Sequence, residues 1–400
     1  MQTVLEKFTK RYHESVSKLP PPDKGSPDKT GPDKPPRYSW HLANGWRSGF
    51  FPGVLWQLAN RSGDATFAHA ASRWTASLSS WASRTDTHDV GFVTFSSFGA
   101  GLRLTNASAR PHGYQAVLHA AAHSLARRYR PSVGMIRSWG HIDDMDEFEV
   151  IIDNVMNLEL LLWASEQPPA NHTLAKIAAS HASRSADLFF RADNSTAHLC
   201  VLSPQTGALK RPCTGTPQGY AANSTWARGQ SWAIYGFTMC HRYMARSAWA
   251  DVAAHAPRML NAARRAASFY RQHAPQEDMV PFWDYAFEGS PPGTPGAFRD
   301  TSAAAIGASG LLELSATLQR VEGGPDGTAN EEEDAQSYLD VAAAALHGLL
   351  WEAALEAGAA SPAVLAANAH DCGTPNCTII ESEYYVLEAL RRVPTRAWGA

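Results

Sequence analysis

Two aspartates carry the strongest chemical signal in this chain. Asp153 lies in FEVIIDNVMNLELLLWAS, an apolar stretch in which Glu149, Asp153 and Asn157 recur at i, i+4 and i+8. On a helix read from about Glu147, these three make one narrow polar stripe. Ile151, Ile152, Val155, Met156, Leu158, Leu160 and Leu162 cover most of the remaining circumference, so the helix is buried nearly all round. Mid-helix is a poor place for Asp, and an unpaired buried charge is costly. Asp153 therefore faces a partner or an internal cavity. Asp89 opens a second apolar segment, DVGFVTFSSFGAG. Two carboxylates in one apolar cavity repel, so one pKa rises and that group can hold a proton near neutral pH. General acid/base chemistry on a sugar needs that property. The plainer readings are an N-cap for Asp89 and a structural ion pair for Asp153.

A third group of residues sits in NSTWARGQSWAIYGF. Arg228 and Trp232 are four apart, so a guanidinium and an indole share one helical face. The Arg could hold a substrate carboxylate bidentately and the Trp could stack on a ring. Alternatively, Arg228 pairs with Asp153 or Asp89 and Trp232 is core. His198 and Gln218 lie upstream in the loop leading to this helix, and spacing alone singles out neither. Trp46, Trp139 and Trp283 flank other apolar segments, where rim aromatics belong. HIDDMDE (141–147) clusters acids without EF-hand spacing, so it is read as charge at a helix N-terminus and not as a cation site. No metal or cofactor is expected.

The elements that must position these residues alternate in kind. Amphipathic helices are expected at 3–18, 65–82, 112–129, 171–190, 250–273 and 333–355. Each is followed by an apolar segment rich in Gly, Ser and aromatics: 49–60, 89–101, 148–165, 228–240, 301–315 and 381–392. No strand-like alternation of useful length interrupts the series. Six helical hairpins with buried inner partners close into a double ring, an all-α (α/α)6 barrel formed as one domain over residues 1–400. Gly91, Gly229, Gly236, Ala303 and Gly307 let inner helices approach closely. Polar groups cluster at the starts of the inner helices, and the long loops 84–89, 131–147, 192–227, 275–300 and 357–380 crowd one rim, the default place for a cleft. The tract 20–37, rich in Pro, Asp and Lys, reads as a solvated loop inside the domain.

Composition sets the outer bounds. With 44% hydrophobic and 18% charged residues the chain is globular. A net charge of −3 gives no case for nucleic acid or an anionic membrane, and no run reaches transmembrane length. Thirteen Trp suit either a sugar-stacking cleft or core packing. The amphipathic N-terminus has no signal-peptide h-region. Five widely spaced Cys, with only Cys372 and Cys377 near each other, form no disulfide framework or zinc signature and suggest mostly reduced thiols and a cytoplasmic protein. The sequons at Asn60, Asn106, Asn171, Asn194, Asn223 and Asn376 are read as chance. Nothing requires more than a monomer or a weakly associated homo-oligomer.

Several blocks, taken together and in order, resemble a known family. GFFPGVLW, HDVGFVTFSSFGAGLRLT, IRSW, FEVIIDNVMNLELLLWAS, QGYAANSTWARGQSWAIYGF, VPFWDY, RDTSAAAIGASGLLELS and SEYYVLEALRR are similar to the signature blocks of unsaturated glucuronyl hydrolases, glycoside hydrolase family 88, from about residue 40 to 392. The resemblance implies an (α/α)6 barrel whose substrate is an oligosaccharide left by a polysaccharide lyase, with a Δ4,5-unsaturated uronate at its non-reducing end. It implies hydration of that vinyl ether. Asp153 matches the general acid/base that protonates C4 and delivers water to C5, after which the hemiketal collapses to a keto acid and the remaining sugar. Asp89 matches the second essential carboxylate. His198, Gln218, Arg228 and Trp232 match positions that contact the uronate. The sequence departs from the family pattern at Pro217 before Gln218, in the tract 20–37 and in HIDDMDE. The rival readings are an unsaturated rhamnogalacturonyl hydrolase acting on pectin fragments and a non-catalytic sugar-binding barrel.

Overall fold

The computed structural model of the chain describes residues 2–16, 22, 26–30, 38–41, 45–106, 111–291, 293–322, 329–351 and 379–394. In chain order its elements begin with α1 (Gln2–Val16), β1 (Ser26–Thr30), β2 (Tyr38–His41), α2 (Phe50–Ser62) and α3 (Ala65–Ala76). One continuous helix follows, running as α4 (Val90–Thr94), a π-helical turn (Phe95–Gly99) and α5 (Ala100–Leu104). Next come α6 (Tyr114–Ala126), β3 (Tyr129–Arg130), β4 (Met135–Ile136), β5 (Phe148–Ile151), α7 (Asn154–Glu166) and α8 (His172–Leu188). The rest comprises β6 (Leu199–Leu202), β7 (Leu209–Thr214), α9 (Ala227–Met244), α10 (Ala250–Ala253), α11 (Ala256–His273), α12 (Thr301–Glu322), α13 (Ala329–Trp351) and α14 (Ile380–Arg392).

The alternation of apolar and amphipathic segments becomes a double ring because each apolar helix can be buried only between two others. Helices α2, α4–α5, α7, α9, α12 and α14 each pack on the next, and α14 returns to α2, closing the inner ring. Around it stand α3, α6, α8, α11 and α13, and α1 completes the outer layer by burying Phe8 and Tyr12. Local chemistry starts and stops these helices. Gly63 at φ 71° ends α2, and the Asp64 carboxylate accepts the Thr66 N–H at 2.7 Å to begin α3. Small residues set the ring spacing. A Cβ on Gly91 would stand 2.5 Å from Asn157 Oδ1, and one on Gly236 2.4 Å from Val155 Cγ2.

The structure corrects three expectations. First, the segment before Asp153 is a strand: Phe148–Ile151 pairs antiparallel with Leu199–Leu202, which pairs in turn with Leu209–Thr214. Val150 and Ile151, beside Phe148, favour a pleated, half-buried surface. Helix α7 therefore starts at Asn154, and Asp153 stands at its N-terminus instead of lying mid-helix. Second, the tract 20–37 is not wholly loop, since Ser26–Thr30 pairs with Tyr38–His41. Third, the cysteines are not all reduced. Cys200 and Cys213 form a disulfide, while Cys240 is free and buried. Cys372 and Cys377 lie outside the described residues, as does nearly all of the loop 357–380. Among the described residues, no helix is long and apolar enough to cross a membrane.

Candidate active site

The two aspartates stand at the N-termini of neighbouring inner helices. Asp89 precedes α4 and Asp153 precedes α7, and these helices meet where Gly91 lies against Asn157. The Asn157 side-chain oxygen accepts the Phe92 N–H at 2.6 Å, locking the register of the two helices. Both carboxylates thus project from the same end of one close contact. The Thr87 hydroxyl donates to Asp89 at 2.6 Å, and His88 Nε2 lies 3.3 Å from its other oxygen. Asp89 is at the N-cap position, yet its side chain makes no capping bond, so the plainer reading of it as a helix cap does not hold.

Opposite them the small sheet delivers His198. The Ile152 N–H donates to the His198 carbonyl at 3.0 Å, and the His198 N–H donates to Thr214 at 2.8 Å. This brings Nδ1 of His198 to 3.7 Å from Asp153 Oδ1. The ring meets Trp226 edge-on at 4.8 Å, and the Arg228 guanidinium lies 5.0 Å from the same indole. Gln218 sits against His198 from the turn that follows β7. Burial holds His198 down to a pKa of about 3, with Gln218 opposing the shift. Burial likewise lowers His88, against the pull of Asp89, and brings His181 to about 3. Burial thus disfavours the charged form of both histidines beside the aspartates.

This predicts a stability profile. Free histidine titrates near 6.5, so below that pH the unfolded chain takes up protons that folded His181 and His198 refuse. Stability should be fully present above pH 6.5 and fall as the pH drops through 5, by up to ~1.4 kcal/mol per pH unit for each ring. Melting temperature measured from pH 7 to 5 checks this; a flat profile would mean that the folded rings accept protons.

Among the described residues, the ion pairs of Arg228 are with carboxylates other than these two aspartates. It is buried between Asp300 at 3.3 Å and Glu381 at 3.4 Å, and Glu381 also accepts from Arg47 Nε at 2.9 Å. Sequence reading passed over Asp300 and Glu381, although each opens an inner helix as Asp89 does. Trp232 is fully buried, packed on Phe92 at 5.1 Å and Tyr385 at 5.5 Å, so it has no open face on which a sugar could stack. Sharing a helix face with Arg228 directs both into the ring interior, where neighbouring helices cover the indole. Its N–H has no partner among the described residues.

Of the rim aromatics, Trp46 and Trp139 are half-buried. Trp139 meets His88 edge-on at 6.5 Å, and Trp46 packs on Phe92 at 5.5 Å with the Arg47 guanidinium over its ring at 4.4 Å. Trp283 is buried and donates its indole N–H to Gly296 at 2.8 Å. His88 and Trp226 were the further site residues the sequence reading missed. Their signal was adjacency, to Asp89 in HDVGF and to Arg228 in TWARGQ. HIDDMDE does not begin a helix. Its Asp144 lies 3.7 Å from Arg137 Nη1, and Glu147 is held by Arg211 at 2.8 Å and Lys210 at 3.4 Å.

With the geometry in place, known proteins give it a context. No family model matches the chain. An unsaturated glucuronyl hydrolase of Formosa agariphila is 35% identical over 352 residues, 87% of this chain and 79% of that protein. One from Bacillus sp. strain GL1 is 33% identical over 362 residues, 88% of this chain and 87% of its own. Among solved structures, the crystal structure of the Bacillus sp. GL1 unsaturated glucuronyl hydrolase, responsible for glycosaminoglycan degradation, superposes with a TM-score of 0.82 at 28% identity, covering 99% of this chain and 97% of that one. An unsaturated glucuronyl hydrolase specific for heparin gives 0.81 at 28%, covering 98% and 95%. At this identity over most of both lengths, within a shared barrel, the chain belongs to the unsaturated glucuronyl hydrolases.

Proposed function

We propose that Asp153 is the acid/base of a vinyl-ether hydration, protonating C4 of a Δ4,5-unsaturated glucuronyl residue and then delivering water to C5. The chain is a glycosidase acting on the unsaturated end of lyase-generated oligosaccharides. The observation that carries the residue assignment is the joint placement of Asp89 and Asp153 at adjoining inner-helix N-termini, with the buried His88 and His198 beside them. A positive helix end favours negative charge nearby. It therefore suits a carboxylate that must return to its anionic form after giving up a proton. His198 and Gln218 would hold the uronate, and Trp139 and Trp46 would flank it from the rim. Trp232 would offer its indole N–H and not a ring face. The proposed catalytic unit is the whole of 1–400. A panel of lyase-generated disaccharides, followed by loss of the ultraviolet absorbance of the double bond, tests the reading; no loss with any of them would refute it.

Arg228 is assigned two roles that one variant separates from catalysis. Removing it weakens uronate binding, so KM rises. It also takes the buried guanidinium away from Asp300, while Glu381 keeps Arg47, and breaking a buried pair costs about 3–5 kcal/mol. Arg228→Ala should therefore both raise KM and lower the urea midpoint. An unchanged KM in a destabilised but folded variant would leave Arg228 with the structural role alone.

A further inference from the structure

We infer that the Cys200–Cys213 disulfide positions His198 and Gln218, so that its redox state sets how well the enzyme turns over substrate. The half-cystines bracket the two side chains in sequence. Cys200 lies two residues past His198 on β6, and Cys213 lies five before Gln218 near the end of β7, with Cα atoms 4.4 Å apart. The strands they join differ in how they are held. β6 pairs with β5 in unbroken register from Phe148↔Leu202 to Ile151↔Leu199, which fixes its distance from Asp153. β7 pairs with β6 irregularly: Leu199↔Thr214 is followed by Val201↔Arg211 and then Leu202↔Leu209. Cys200 and Cys213 fall inside the first of these slips, so the covalent bond sits where the ladder lacks its regular partners. β7 is an edge strand of the sheet, and Leu209, Lys210 and Arg211 on it are exposed. Beyond the ladder, it is tied down by Lys210 and Arg211 on Glu147 at the surface, and exposed pairs of that kind are weak.

The turn after β7 then carries Gln218 to His198. Within it the Gly215 N–H donates to Ala222 and the Gly219 N–H donates to Gly215, each at 2.8 Å. The far side of that turn is anchored, since buried Asp284 accepts from the Tyr220 N–H at 2.8 Å and the Ser224 hydroxyl at 2.7 Å, so the disulfide governs the near side, where β7 meets His198. With the disulfide open, His198 stays tied to Ile152, while its link to β7 rests on the single hydrogen bond from its N–H to the Thr214 carbonyl at 2.8 Å, so that Thr214 and Gln218 can shift relative to it. Misplacement of such contacts by about 1 Å can cost on the order of a hundredfold.

Reduction is sterically possible. Cys200 is buried, but Cys213 is half-buried, so a thiolate can attack Cys213 Sγ. With dithiothreitol, the S–S bond breaks as a mixed disulfide forms on Cys213, and Cys200 leaves as a thiolate that takes up a proton. The second thiol of the reagent then displaces Cys213 as a thiol and leaves as the cyclic disulfide.

The experiment uses the full chain, with its disulfide verified by differential alkylation and mass. Steady-state kinetics on an unsaturated disaccharide are measured before reduction, after reduction and after reoxidation. The expected result is a fall in kcat/KM of roughly ten- to a hundredfold, mostly through KM, restored on reoxidation and with helical circular dichroism unchanged. The double variant Cys200→Ser/Cys213→Ser should show the same loss and no response to reductant, which separates this pair from Cys372 and Cys377. Unchanged kinetics in the reduced enzyme, or in the folded double variant, would overturn the inference. So would loss of the helical signal on reduction, since the bond would then hold the fold and not the site. If the double variant does not fold, the reduction and reoxidation cycle decides alone. The inference rests on His198 touching substrate. Unchanged turnover in His198→Ala would remove that reading, whereas a loss there beside redox-indifferent kinetics would remove only the clamp.

Discussion

Asp153→Asn is expected to leave the barrel folded and to lower kcat by about 10²–10⁴-fold, the usual contribution of a general acid/base. The substitution replaces one oxygen by an amide nitrogen of nearly the same size. The Asp153 carboxylate makes no capping bond to α7, whose first turn begins at Asn154, so helix initiation does not depend on its charge. What disappears is a group able to give a proton to C4 and to take one from water. Because that interaction belongs to the transition state, KM should change far less than kcat. Asp89→Asn provides the contrast. It disturbs a carboxylate that accepts from Thr87 at 2.6 Å and lies 3.3 Å from His88, so both substrate placement and local order should suffer. Near-normal turnover by purified, folded Asp153→Asn would move the proton-transfer role elsewhere, with Asp89 the next carboxylate to test.

The barrel was legible because its signal is repeated. Each inner helix is apolar nearly all round, so a misjudged boundary in one leaves the alternation intact. The site was legible as residue types more than as positions. Glu149, Asp153 and Asn157 do fall at helical spacing, but that pattern cannot register that Phe148–Ile151 will find Leu199–Leu202 across the chain. The strand won because its partner is distant, and local periodicity carries no information about distant partners. The same reason explains Arg228, whose buried partners Asp300 and Glu381 come from α12's approach and from α14. It explains the disulfide too, since spacing does not reveal pairing. Trp232 failed differently. Its face was assigned correctly, but helical spacing does not say whether a shared face opens on a cavity or meets Phe92 and Tyr385.

A saturated glucuronide of the same linkage should not be turned over at all, while its Δ4,5-unsaturated counterpart is consumed. A two-carboxylate glycosidase working at the anomeric carbon protonates the leaving group and directs attack to C1. Such an enzyme has no need of a double bond in the sugar ring. In the proposed reaction the double bond is the reactive group. Protonation of C4 in the enol ether generates the oxocarbenium-like cation at C5, and a saturated ring offers no site for that proton. In the proposed reaction that proton comes from the Asp153 carboxyl group, since burial disfavours the charged, proton-donating form of both His88 and His198. Since C1 is never attacked, the anomeric configuration of the scissile bond should matter little. In water labelled with heavy oxygen, the label should enter the C5 carbonyl of the keto acid, read before exchange, and be absent from C1 of either product. Cleavage of a saturated aryl glucuronide that disappears in Asp153→Asn would show instead that this carboxylate serves displacement at the anomeric carbon. Label at C1 would lead to the same conclusion by an independent route.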